Sequence, residues 1–126
     1  MAAAGNSGES DGAISYPAKY PETIAVSAID ENNGFASFSS YGAEIDLASP
    51  GVNINSAYNN GYYKTLNGTS MAAPHVTGTV ALVISAKGIM SPDDIKAHLK
   101  NTSEFLSGLS SYQQGAGLVR ADLAVQ

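Results

Sequence analysis

One long apolar segment limits what this chain can fold into. Residues 70–86 read SMAAPHVTGTVALVISA, and Met71, Val76, Val80, Leu82, Val83 and Ile84 spread nearly all round a helical wheel. A helix of that kind is ordinarily buried, so the remaining residues must cover it. Pro74 is expected in its first turn, where proline is tolerated, and Gly88 at its C-terminal cap. The small residues 2–4 read as the end of a buried strand, turned out by Gly5-Asn6. Residues 23–29 (TIAVSAI) form a β-branched strand, and 45–48 a short one stopped by Ser49-Pro50-Gly51. Residues 52–58 and 62–66 pair as a hairpin about Asn59-Asn60-Gly61. Ser91-Pro92-Asp93-Asp94 opens a second helix, to about 102, with cap, proline and acids in the expected order. Its Ile95, Ala97 and Leu99 are expected inward. Residues 7–22 and 107–117 read as loop, and 118–125 as a short strand and a helical turn. Strands alternating with helices define an α/β chain.

Composition narrows the function classes. A chain of 126 residues allows one domain, and 44% hydrophobic residues suffice for a core. The absence of cysteine excludes disulfides, thiolate catalysis and cysteine-based zinc sites. Six basic residues against eleven acidic ones give −5, and the basic residues are scattered. That argues against nucleic acid and against an anionic membrane surface as partners. No apolar run approaches the roughly 18 residues of a membrane span. Met1 leads straight into AAAGNSG, with no signal-peptide pattern and no lead-in loop. A buried strand with nothing before it suggests a chain cut from something longer.

The segment Asn67-Gly68-Thr69-Ser70-Met71-Ala72-Ala73-Pro74-His75-Val76 carries the chemistry. A Gly-Thr turn delivers the Ser70 hydroxyl to the start of the apolar helix. Unpaired backbone N–H groups and the positive end of the helix dipole meet there. Both stabilise negative charge on a substrate oxygen. By position alone, Ser70 reads as an ordinary N-cap.

The full string NGTSMAAPHV resembles the nucleophile motif of subtilisin-like serine proteases, the subtilases. The likeness continues in order along the chain. AAAGNSG at 2–8 resembles the family's oxyanion-hole segment, and residues 15–29, 35–57 and 114–126 resemble the blocks that follow it. The resemblance implies the C-terminal half of a subtilase catalytic domain across 1–126, a partial doubly wound parallel-sheet fold with the nucleophile at the N-terminus of a buried central helix. It implies Ser70 as nucleophile and Asn6 as side-chain donor to the oxyanion, with the Ser70 backbone N–H as second donor. Asn67 would shape the leaving-group side. Ala3, Ala4, Gly5 and Ser15 would border the pocket for the side chain before the scissile bond. The backbone carbonyls of Ala18, Tyr20 and Thr23 would hold a structural calcium or monovalent cation. No cofactor is required for the chemistry. The substrate would be a polypeptide, and the family habit is secretion, although intracellular relatives exist.

A serine nucleophile needs a general base, and the base an orienting acid. The family supplies both from its N-terminal half, which this chain lacks. His75 lies five residues after Ser70, a rotation of about 500° and a rise of about 7.5 Å, which places the two on different faces of one helix. His98 reads as an i,i+4 surface partner of Asp94. Asp30, Glu31, Glu44 and Asp46 have no histidine partner in sequence and read as solvated. The isolated chain is therefore expected to be nearly inactive and to need the missing half, or to self-associate. The alternative is a non-catalytic subtilase half acting as an assembly or binding module. Asn67-Gly68-Thr69 and Asn101-Thr102-Ser103 also fit the N-glycosylation pattern.

Overall fold

Five consecutive buried residues, Ala25–Ile29 (β2), form the middle strand of a three-stranded parallel sheet. The computed structural model describes residues 1–8 and 13–126, so part of the loop expected at 7–22 lies outside the described residues. Ala2–Ala3 (β1) pairs with one edge of β2, and Leu47–Pro50 (β3) with the other. All five of its residues are buried, so both faces of the strand are covered, which is why AVSAI shows no polar alternation. β3 starts and ends two residues later than the sequence pattern indicates. Pro50 closes it, opposite Ile29. Residues 117–119 add to the outer edge of β3, where Ala48 N donates to Gly117 O at 2.9 Å and Val119 N to Ala48 O at 3.0 Å.

Ile54–Ala57 (β4) and Tyr63–Leu66 (β5) form the antiparallel hairpin. Asn60 (φ 56°) and Gly61 (φ 78°) make its turn. The hairpin is mostly exposed.

The apolar segment is a helix, Thr69–Lys87 (α1), but only one face of it is buried. Thr69, Ala72, Val76, Thr79 and Val83 form that stripe against the sheet. Leu82 and Ile84 stand 52% and 37% exposed. The expectation of all-round burial thus fails for this chain, because among the described residues the sheet covers one side only. Pro74 lies in the second turn rather than the first. Having no N–H, it leaves the Ser70 carbonyl without its i+4 partner. The cap position belongs to Gly68, and Ser70 is the second residue of the helix.

Pro92–Asn101 (α2) begins as expected, with Asp94 N donating to Ser91 Oγ at 3.1 Å. Ile95 and Leu99 enter the main core, while Ala97 is exposed. Two short helical turns close the chain, Ser111–Gln114 (α3) and Ala121–Ala124 (α4). The first interrupts the expected 107–117 loop. Its cause is a Ser110–Gln113 capping box, in which Ser110 N donates to Gln113 Oε1 at 3.0 Å. The sheet-and-helix layering is that of a partial α/β fold.

Candidate active site

The turn after β1 and the start of α1 meet side by side. Gly5 adopts φ 113°, and a Cβ there would lie 2.5 Å from Ser15 Oγ, so only glycine lets the two segments close. Ser40 N donates to Gly5 O at 2.8 Å and Ser15 N to Ala4 O at 2.8 Å. Ala4, Gly5 and Ser15 are therefore brought together, with Ala3 next to them in β1. Ala4 is fully buried and Ser15 is exposed.

Asn6 is held by a residue that the sequence reading passed over, Thr69. The Thr69 N–H donates to Asn6 Oδ1 at 3.0 Å, and the Thr69 hydroxyl donates to the same oxygen at 2.9 Å. Gly5 N in turn donates to Thr69 Oγ1 at 3.2 Å. A backbone N–H can only donate, so these bonds fix which amide atom is the oxygen. The Asn6 Nδ2 is left to face the helix start. A methyl group placed on Gly68 would lie 3.7 Å from both Asn6 Nδ2 and Ser70 N. The two nitrogens thus lie close to one common point. No acid sits in the first turn of α1 to compete for its positive end.

Ser70 is exposed and lines two clefts. One, of about 390 Å³, runs between α1 and the hairpin past Ile54, Tyr58, Lys64, Leu66 and Met71. The other, of about 450 Å³, lies against residues 1–3, Ala73, Pro74 and Thr77. Asn67 precedes this turn and accepts a hydrogen bond from Asn53 N at 2.6 Å, which ties the turn to the hairpin's base.

Neither histidine is bonded to Ser70. His75 lines the hairpin cleft together with Ser70. Its Nδ1 lies 2.9 Å from Met71 O and donates to it. His98 does not pair with Asp94. Its Nε2 donates to Ala124 O at 2.7 Å, while Asp94 accepts from Ser91 Oγ at 2.7 Å. Asp46 is not solvated either. It is 6% exposed, accepts from Ala25 N at 2.9 Å, and meets Lys96 at 2.9 Å and Lys100 at 3.1 Å.

A family model described as the subtilase family matches residues 1–117. The chain belongs to the subtilase family. It is 50% identical over 126 residues to subtilisin Savinase of Lederbergia lenta, covering all of this chain and 45% of the relative. An alkaline protease of Alkalihalobacillus alcalophilus is also 50% identical, with 32% of it covered. Subtilisin DY of Bacillus licheniformis is 45% identical, with 46% covered. This subtilase chain therefore spans less than half the length of these relatives.

The carbonyls at which the resemblance implies a cation already have donors. The Thr23 hydroxyl lies 3.1 Å from Ala18 O and 2.9 Å from Tyr20 O. Thr23 O accepts from Lys96 Nζ at 2.7 Å. Each of these three carbonyls therefore has a hydroxyl or ammonium group within hydrogen-bond distance. Among the described residues no helix is long and apolar enough to cross a membrane.

Proposed function

We propose that this subtilase chain is the serine-bearing half of a catalytic domain, and that the assembled domain is a serine endopeptidase acting on polypeptides. The observation that carries the reading is the clamped Asn6 amide. Its oxygen is spent on Thr69, so its nitrogen and the Ser70 N–H remain for a third party.

The chemistry follows from that arrangement. A peptide carbonyl oxygen lies between Asn6 Nδ2 and Ser70 N, with its carbon over Ser70 Oγ. A histidine from the complementary half, oriented by an aspartate, takes the hydroxyl proton as the C–O bond forms. The two donors stabilise the oxyanion of the tetrahedral intermediate. Its collapse returns the proton to the departing amine and leaves an acyl ester on Ser70. Water, deprotonated by the same histidine, then releases the acid. No step is routed through a cofactor. Ala3, Ala4, Gly5 and Ser15 border the acyl-side pocket, and Asn67 the leaving-group side. The complementary half would cover the open face of α1, and an extracellular setting follows family habit.

A fluorophosphonate probe tests this. With a complementary half bearing the Asp and His, the probe should label Ser70. Ser70→Ala should abolish labelling, and Asn6→Leu should slow it. The scale for losing that donor, about 10²–10³-fold in turnover, is one measured on a subtilisin asparagine. An assembled pair that stays unlabelled overturns the enzymatic reading and leaves a binding or assembly module.

A further inference from the structure

The loop carrying residues 17–23 lies where a lysine from α2 reaches across the fold. Lys96 Nζ donates to Pro21 O at 3.0 Å and Thr23 O at 2.7 Å, and meets Asp46 Oδ2 at 2.9 Å. An ammonium has three N–H bonds and no acceptor. Two are donated to the loop, and the charge faces a buried carboxylate.

Three further carbonyls of the loop also have donors. Pro17 O accepts from Tyr20 N at 3.1 Å and Tyr20 O from Thr23 N at 3.1 Å. Ala18 O has the Thr23 hydroxyl at 3.1 Å. A hydroxyl donates a single proton, and Ala18 O is the acceptor with no backbone donor. Five carbonyls thus meet five donors, from one ammonium, one hydroxyl and two backbone N–H groups. A calcium ion takes six to eight oxygens, and the Thr23 hydroxyl already stands at the focus of three of these carbonyls, 3.3 Å from Pro17 O, 3.1 Å from Ala18 O and 2.9 Å from Tyr20 O.

Charge points the same way. Asp46 is one carboxylate facing two ammonium groups, Lys96 and Lys100. A metal ion on Thr23 O would sit beside Lys96 and be repelled by both lysines. Binding there requires Lys96 to leave and to lose all three of its partners.

We propose that in this chain the Lys96 ammonium and the Thr23 hydroxyl stand where the resemblance places a cation, so that the 17–23 loop closes without a metal ion. The inference stands whether or not the chain is catalytic. Its functional consequence is that the wall bearing Ser15, next to Gly5, is held by an internal charge instead of by an ion from solution.

Trace acetylation of the native chain, read residue by residue by mass spectrometry, tests it without any variant. Lys96 should react several-fold more slowly than the exposed Lys19. Its rate should be the same in calcium chloride, potassium chloride and tetramethylammonium chloride at matched ionic strength. A Lys96 rate equal to that of Lys19, or one that rises when calcium or potassium is added, overturns the proposal. Lys96→Met provides the second arm. Its melting point should fall, and potassium or calcium should restore part of the loss, while the parent chain shows no ion-specific shift. An unchanged melting point, or a loss that neither ion restores, also overturns the stand-in role. If Lys96→Met does not fold, the acetylation rates decide alone.

Discussion

Two polar junctions in this molecule use the same kinds of group to opposite ends. At the first, Asn6, Thr69 and Ser70 join β1 to α1 at an exposed surface, and the bonds aim donors outward without consuming them. At the second, Gln114 and Asp46 lie buried, and their side-chain groups are met inside the fold. Gln114 accepts from Leu106 N at 2.7 Å and donates to Leu106 O at 2.8 Å and Leu109 O at 2.7 Å. Asp46 joins β2 to α2 through Ala25 N, Lys96 and Lys100. Spare hydrogen-bonding capacity at a surface can act on a substrate, whereas the same capacity saturated in the interior can only stabilise. Changes at the first junction should therefore cost turnover and changes at the second should cost stability.

The sharpest attempt to break that division is Ser70→Ala. In the assembled protease it should remove turnover by about 10⁶-fold, a scale measured on subtilisin itself. The hydroxyl lies at the surface on a helix held by its other face, so the melting point should stay within the scatter of surface substitutions. A large melting shift would show that Ser70 also carries the fold. Gln114→Leu is the mirror experiment. It strands the buried Leu106 N–H and the half-buried Leu109 carbonyl, while Leu106 O keeps the Leu109 N–H at 3.1 Å, and should destabilise the chain by about 3 kcal/mol in denaturant titration, at roughly 1–3 kcal/mol for each unpaired group. Fluorophosphonate reactivity, measured where the variant is still folded, should be unchanged. Lost reactivity in a folded variant would mean that the two junctions are coupled.

Thr69→Val probes the border between them, because Thr69 is buried yet serves an exposed group. The isosteric change removes the hydroxyl that donates to Asn6 and accepts from Gly5. The amide then swings more freely, and kcat should fall about tenfold, the equivalent of one neutral hydrogen bond. KM should barely move, and Thr69→Ser should restore the rate. Equal losses in kcat and stability would assign Thr69 to the structural class instead.

What was readable in advance divides along the same line. The strand at 25–29, the hairpin and both long helices follow from local pattern, cap and turn chemistry, which a short window contains. The pairing of Ser70 with Asn6 came only from the resemblance of whole blocks, since the two lie far apart in sequence. Thr69 was missed because its hydroxyl acts on residues 63 and 64 positions away. Asp46 was misread for the same reason. Nothing near it in sequence announces that Lys96 and Lys100, on a helix half the chain later, will neutralise it in the interior. His98 likewise ignores its neighbour Asp94 for a carbonyl 26 residues on. The capping box at Ser110–Gln113 was the one local signal left unread.

The smallest expected effect separates burial from saturation. Arg120, like Gln114, makes three side-chain hydrogen bonds, but at the surface. Its Nε donates to Asp122 Oδ1 at 2.8 Å, one terminal nitrogen donates to Asp122 Oδ2 at 2.6 Å, and the other to Glu104. Hydrogen bonding to Arg120, with its positive charge, holds the Asp122 carboxyl below its ordinary value against a smaller desolvation effect. The same partner pushes the Arg120 guanidinium further above its already high value. A depressed folded-state carboxyl contributes stability that is present above the unfolded value, near 4 for aspartate, and is lost as pH falls through the folded value. Melting curves of the parent and Arg120→Ala should therefore differ slightly at neutral pH and converge in acid. Salt should shrink the difference, because both partners are solvated and screened. A gap that survives acid and high salt would make the Arg120 stem, and not its charge, the stabilising part. Saturation at the surface would then matter through packing, and the contrast between the two junctions would rest on burial alone.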